Sequence, residues 1–277
     1  MGLITKQYTF TPSTTAQSAQ VNADLDTIYA EFNGEINDAN IAALAQIQQG
    51  KILNLVTDLA TIRASRVTEI STQVFSVNST YTKPSDLLFA RVIAIGGGGG
   101  GGGSPVSGAS TNRAGGGGGG GGYAEWFLMA SQIGATETIL VGAAGVAGFN
   151  GALGGNGGTS QFGTSVVATG GSGGNFSGSD DTPGNGGAAG VGTNGLVLLR
   201  GSDGGHGWAD TNGMIGGMGG SAPCGGGSAQ GAFGIASVGA NGRQYGGGGG
   251  GGNSNSSTAV TGGAGAPGVV IVVEFKA

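Results

Sequence analysis

Arg91-Val92-Ile93-Ala94-Ile95 runs straight into eight consecutive glycines, Gly96 to Gly103. A polar insert from Ser104 to Ala114 follows, and eight more glycines, Gly115 to Gly122, lead into Tyr123-Ala124-Glu125-Trp126. A third uninterrupted run occupies Gly246 to Gly252. Glycine loses more conformational freedom on folding than any other residue, roughly 0.5–1 kcal/mol relative to alanine, so ordering runs of this length needs a geometric reason. One reading is a flexible linker, because glycine-rich chain behaves as random coil. The other is a packed bundle of extended threefold helices. In such a helix each residue advances about 3.1 Å, and every N–H and C=O points outward to pair with a neighbour that no Cβ holds away. Linkers are usually leavened with Ser, Lys or Glu, whereas these runs are pure and bounded by apolar, β-prone residues, which favours the bundle.

With 68 glycines in 277 residues, and neither a strict Gly-X-Y period nor enough proline, the chain is neither an ordinary globular sequence nor a collagen. Charged residues make up only 9% and the net charge is −5. That balance leaves no basic footprint, and no Arg-Gly-Gly cluster accompanies the runs, so nucleic acid is not an expected partner. Cys224 is the only cysteine, which excludes a disulfide framework and a zinc spacing; it reads as a small buried apolar residue rather than a reactive thiol. The opening Met1-Gly2-Leu3-Ile4-Thr5-Lys6 lacks the basic and apolar regions of a signal peptide. No stretch reaches eighteen apolar residues, so a soluble protein made in the cytoplasm, without membrane insertion, is expected. Myristoylation at Gly2 is excluded because Lys6 stands where that motif needs Ser or Thr.

Residues 1 to 75 differ in composition, with only three glycines and most of the charge. Ser13-Thr14-Thr15 offers caps for a helix, Leu25, Ile28 and Phe32 recur at helical spacing, and Asn33-Gly34 breaks the pattern. Beyond it come Ile41 and Leu44, then Ile52, Leu55, Leu59 and Ile62 at 3-4-3 spacing, then Val67, Ile70 and Val74, the sets separated by five-residue steps. This is an interrupted heptad pattern, and it predicts a coiled-coil stalk. No second amphipathic helix follows to cover the stripe, and isoleucine recurs at both kinds of seam position, so self-association into a homotrimer is expected over a small monomeric helical domain.

Past the stalk, Val74 to Val77, Tyr81 to Pro84 and Leu87 to Ile95 read as strands, with a turn at Pro84-Ser85-Asp86. An apolar strand entering glycines is also how a dinucleotide site begins, but that mechanism needs a helix next, which Ser104–Ala114 and another glycine run cannot form. No Gly-Lys-Ser/Thr follows any run, so a phosphate loop fails as well. Further strands are expected at Ala124–Ala130, Thr136–Val141, Ser165–Thr169, Leu196–Arg200 and Gly268–Phe275, between glycine-dense segments. The apolar first and last of these bracket the region, as in a closed domain whose ends meet. Their irregular spacing argues against a solenoid of one fixed repeat.

Tyr81-Thr82-Lys83-Pro84, Arg91 to Gly96 with its glycine run, Gly122-Tyr123-Ala124-Glu125, Val141-Gly142-Ala143-Ala144-Gly145, Gly158-Thr159-Ser160-Gln161-Phe162-Gly163, Ala168-Thr169-Gly170-Gly171 and Gly265-Ala266-Pro267-Gly268-Val269-Val270-Ile271-Val272 together resemble the glycine-rich C-terminal domain of bacteriophage tail fibres. The plan also resembles that of the polyglycine-sandwich adhesins at the fibre tips of T-even-like phages. Ala16 to Asp24 followed by Ile36 to Ile41 is similar to segments that open many tail-fibre proteins. The resemblance implies a virion tail component that recognises a bacterial surface, a protein or a glycan, through loops at one end of a rigid glycine core. It departs from those adhesins in carrying its own stalk. The fold class expected is thus mixed: a helical coiled-coil stalk followed by a glycine-rich sandwich of packed polyglycine II helices flanked by short β-strands. The divisions expected are a virion-attachment segment over 1–35, the stalk over 36–75 and a receptor-binding domain over 76–277.

Catalytic chemistry has little to stand on. His206 is the only histidine and has no nucleophile motif beside it, and carboxylates pair only as Asp180-Asp181 and the spaced Asp203 and Asp210. No catalytic residue, cofactor or metal ligand set is expected, and His206 reads as a surface residue. Aromatic, amide and charged residues gather instead in Ser104–Ala114, Asn175–Pro183, Ser202–Met214 and Asn253–Ala259. Exposed rings with polar neighbours suit recognition of a sugar or a protein loop, which makes Arg113, Phe176, Asp180, Asp181, His206, Trp208 and Asp210 the candidate receptor-binding residues. The plainer alternative is that Trp208 and Phe176 cover the glycine layers. Two other classes compete: a purely structural glycine-rich fibre component, and an ice-binding protein. The latter calls for flat, regular faces that these interrupted runs do not offer. A depolymerase would need a larger β-helical body and carboxylate pairs.

Overall fold

The apolar spacing at Leu25 and Ile28 lies within helix α1 (Ser18–Phe32), which stops one residue before Asn33-Gly34. A second helix, α2 (Leu55–Ala64), carries Asp58 in its first turn and Arg63 in its last, the charge order that suits the helix dipole. Both belong to the first of two compact units, Met1–Ala64; the second is Ser65–Ala277. The structure, a computed structural model, describes residues 15, 17–32, 55–106, 111–255 and 258–277. Residues 1–14 of the expected attachment segment and 36–54 of the expected stalk lie outside the described residues.

The strands of the second unit are β1 (Glu69–Phe75), β2 (Ser79–Thr82), β3 (Leu87–Ile95), β4 (Arg113–Ala114), β5 (Tyr123–Met129), β6 (Thr136–Leu140), β7 (Ser160–Phe162), β8 (Val166–Ala168), β9 (Thr182–Pro183), β10 (Gly192–Asn194), β11 (Val197–Leu199), β12 (Trp208–Asp210), β13 (Gly213–Ile215), β14 (Asn253–Ser254) and β15 (Val269–Lys276). Two five-stranded antiparallel sheets dominate, ordered β1-β15-β3-β5-β11 and β10-β8-β7-β6-β2. The bracketing strands meet as their sequences suggest: Val269 of β15 lies opposite Ile95 of β3, and the ladder runs on to Phe275 and Phe89, whose rings stack at 4.4 Å. Ala90, Val92, Ala94, Ala124, Leu128, Val270 and Val272 of the first sheet share one buried core with Tyr81, Ile139, Phe162, Val166 and Ala168 of the second. Glu274 is buried too, and its carboxylate accepts hydrogen bonds from Ser71 Oγ at 2.5 Å and Gln73 Nε2 at 2.8 Å.

The expected fold class is therefore corrected. The protein is predominantly β, with sheets packed in sandwich fashion. Among the described residues its α-helices are two short ones of 15 and 10 residues, beside a single 3-10 turn at Ala130–Gln132, with no long coiled-coil stalk. The end of the expected stalk is β1. Ile70 and Val74 are four apart, a spacing that puts two side chains on one face of either a helix or a strand. Pairing with β15, from Glu69 opposite Lys276 to Phe75 opposite Val270, decides for the strand. Nor are the strands minor flanks of a sandwich of polyglycine helices, because the principal hydrophobic core lies between the sheets. The glycine-rich segments are extended spans that leave the sheet ends and return to them.

These spans are held by backbone hydrogen bonds with a period of three. Along the first run, Gly97 N–H donates to Gly158, Gly98 to Ala266 and Gly99 to Gly119; Gly100, Gly101 and Gly102 repeat the cycle to Gly155, Gly263 and Gly116. Its carbonyls accept in the same rhythm from three other spans, Gly97 O from Gly171, Gly98 O from Gly145 and Gly99 O from Gly249. The first run is thus ringed by partners on every side, and so are Gly115–Gly122 and Gly246–Gly252, all of whose residues are buried. Purity follows from that position. A Cβ on Gly99 would lie 2.0 Å from Ser172 O, and one on Gly119 would lie 2.1 Å from Ala188 O. Peripheral spans need glycine only where they face inward: Gly142, Gly145 and Gly148 are buried, whereas Ala143 and Val146 point outward.

Gly119→Ala should therefore cost about 3 kcal/mol, since the backbones must separate and break hydrogen bonds on both sides. Gly178→Ala, where an added Cβ meets nothing within 4 Å, should stay within about 0.5 kcal/mol of wild type. Denaturant unfolding of the two variants checks the pair.

Candidate functional site

Ile95 and Tyr123 anchor the first two glycine runs in the sheet, so Ser104 and Ala114 mark the opposite end, about 25 Å away for an eight-residue extended span. The turns that reverse the chain collect there. β4 pairs in parallel with β9 and antiparallel with β14, Ser104 bridges Val260, and β12 and β13 form a hairpin alongside. This end carries most of the side-chain chemistry of the glycine-rich region, because the buried runs carry none.

The candidate residues are distributed unevenly over it. Arg113 Nε reaches Asp180 Oδ1 at 2.6 Å, with Arg113 mostly covered and Asp180 more open. Asp181, at φ 54°, accepts the Asn112 N–H on Oδ1 at 3.1 Å and returns its own N–H to Asn112 O at 2.8 Å. Asn112 Nδ2 also donates to Asp210 O at 2.6 Å, and Asp210 Oδ1 accepts the N–H groups of Asn212 and Gly213 to close the β12–β13 turn. Arg113, Asp180, Asp181 and Asp210 are thus brought together around Asn112, where they stitch three loops to one another. Trp208 is half-exposed and stacks on Phe233 with ring centroids 5.6 Å apart. Phe176 sits by the Gly151 turn, since a Cβ there would approach its Cδ2 to 3.7 Å. His206 is exposed on the flank of the spans, its Nδ1 3.2 Å from Asn185 Oδ1. Parts of two candidate loops, residues 107–110 and 256–257, lie outside the described residues.

Sequence reasoning passed over the most exposed rings and aliphatics of this end. Phe149, Phe233, Ile235 and Val238 are 57–63% exposed. Phe149, Ser237, Val238, Thr258, Val260 and Thr261 line an open cavity of about 410 Å³. The available signal was Phe233-Gly234-Ile235-Ala236-Ser237-Val238, a cluster of large apolar residues in a connection too short and irregular to be a core strand. Cys224, read as buried, is exposed in the turn bridged by Ala222 and Gly225, at the sheet end. Among the described residues, no group of three or more His, Cys, Asp or Glu side chains is placed to hold a metal ion, and no helix is long and apolar enough to cross a membrane.

What these elements define is a β scaffold braced by glycine spans, with polar stitching and exposed rings concentrated at the end remote from its core. The chain belongs to the glycine-rich domain family, which matches residues 72–274. None of the curated proteins compared with it matches the chain.

The Arg113–Asp180 pair is partly solvent-screened, so Arg113→Ala should lower global stability by only about 1 kcal/mol. Its larger effect should be local: the Asp181 amide should exchange faster with deuterium while the β3 amides stay slow. Equal acceleration at both places would show that the stitching supports the whole unit.

Proposed function

We propose that this chain is a non-enzymatic attachment protein of a bacteriophage tail fibre. In this reading its N-terminal segment joins the virion, and the loops remote from the sheets bind a bacterial surface structure, an outer-membrane protein or a glycan. The observation that carries the reading is the exposure of Phe149, Phe233, Ile235 and Val238, beside the Trp208–Phe233 stack, on a backbone braced by hydrogen bonds. Rigid presentation of rings and aliphatics lowers the entropy lost on binding, which is how loop-borne recognition surfaces gain affinity. The resemblance of the glycine-rich segments to tail-fibre domains supplies the biological setting.

The charged candidates hold a supporting role in this reading. Arg113, Asp180, Asp181 and Asp210 fix the loops, while Trp208, Phe176 and His206 stand with the exposed apolar residues as contact candidates. Fluorescently labelled full-length chain should adsorb to some members of a panel of bacterial strains. Replacing Phe149 and Ile235 together by serine should weaken adsorption at least about tenfold. Both side chains already face solvent, so the melting temperature should hold. Adsorption to no strain, or adsorption untouched by these changes, favours a purely structural fibre component. Shortening of surface polysaccharide by the purified chain would overturn the non-enzymatic assignment.

A further inference from the structure

The outer face of the sheet β1-β15-β3-β5-β11 is mostly apolar, with Thr72 and the Arg91–Glu125 pair as its polar side chains. An antiparallel sheet with one face in water normally alternates apolar-in with polar-out. Here β3 turns Ala90, Val92 and Ala94 inward and Phe89, Arg91 and Ile93 outward. The registers place Phe127 and Met129 of β5, Ile271 and Val273 of β15, and Ile70 and Val74 of β1 on that same outer side. Ile70 is 62% exposed, Met129 57%, Val74 55% and Phe127 48%. Ala222 packs on Ile95, Tyr123 and Val269 and so covers only the glycine-side end of the face. The remainder, with Val197 and Leu199 of β11, exposes on the order of 600 Å², at the upper limit of the largest apolar patch usual for a monomer and close to one side of a standard protein interface.

We propose that this face docks a second copy of the chain, the two sheets stacking about a twofold axis that passes near Arg91. Arg91 is the middle residue of the central strand, and its Nε lies 2.6 Å from Glu125 Oε1 on the neighbouring strand. Tyr123 also donates its hydroxyl to Glu125, and the guanidinium sits 6.0 Å from the Phe127 ring centroid. The arginine hydrogen bond holds the Glu125 carboxyl below the usual carboxylate range, so the pair is charged at neutral pH. One positive and one negative group side by side at the centre of an apolar face are self-complementary under a twofold, the arginine of each copy turning toward the glutamate of the other. A face with no net charge offers nothing to nucleic acid or to anionic lipid. Stacked sheets at about 10 Å spacing would interdigitate Phe127, Met129, Ile70 and Val74 with their equivalents. This pairing does not depend on the proposed attachment function.

Light scattering on the full-length chain at micromolar concentration should return twice the chain mass. Phe127→Glu and Met129→Lys, which place charge on side chains already exposed in one copy, should each return the single mass, while Ile235→Glu at the loop end should leave the double mass unchanged. A monomeric wild type, a species of three chains, persistence of the dimer in both sheet variants, or its loss in Ile235→Glu overturns the proposal. Peroxide oxidation of the wild type followed by mass spectrometry needs no variant. Met129 and Met218 are similarly exposed in one copy, at 57% and 51%. Oxidation several-fold slower at Met129 than at Met218 is expected, and equal rates would overturn the pairing.

Discussion

A backbone N–H and a carbonyl of two adjacent spans, 2.7–3.1 Å apart from nitrogen to oxygen with no space between them for a methyl group, form the contact on which the second unit depends. Hydrogen bonds of this kind contribute only about 1 kcal/mol each after the loss of water, but a buried N–H left without its acceptor costs more than that. The sequence consequence is strict. Where a span is ringed by neighbours, every residue is glycine; where it is ringed on one side, glycine recurs every third position, as at Gly142, Gly145 and Gly148. The number of glycines per three residues therefore reads out how many neighbours a span has.

The same constraint sets where chemistry can be. Spans that carry no inward side chains cannot build a pocket between themselves, so binding groups are confined to the turns and to the outer flanks. The sheets supply the apolar core that the spans lack, with β3, β5 and β15 acting as the roots from which the glycine runs leave and to which they return. At the other end, Asn112, Arg113 and three aspartates consume their polar groups in fixing the turns, and the exposed rings are held on that fixed base. Rigidity and sparse charge are thus two results of one backbone arrangement.

Much of this was legible in the residues. The purity of the runs and their apolar flanks pointed to ordered glycine, and Arg91–Ile95 with Val269–Phe275 announced strands that pair. Helix α1 was visible in its spacing and in the Asn33-Gly34 stop. The stalk was misread because Ile70 and Val74 satisfy both helical and strand periods, and only the long-range pairing with β15 separates them. The extent of the sheets was underestimated because β7 and β10 are three residues each, too short for any period to register. At the loop end, charge drew attention to Asp180, Asp181 and Asp210, whereas exposure belongs chiefly to Phe149, Phe233, Ile235 and Val238; composition cannot tell a carboxylate that caps a turn from one that faces a ligand.

The most direct test of the central claim is residue-resolved hydrogen exchange of the glycine amides in Gly96–Gly103, Gly115–Gly122 and Gly246–Gly252. If each N–H is bonded to a neighbouring span, these amides open only with the unit as a whole and exchange as slowly as those of β3. Exchange at the rate of an unstructured glycine chain, while β3 stays protected, would mean that the runs are linkers and that the bracing does not exist.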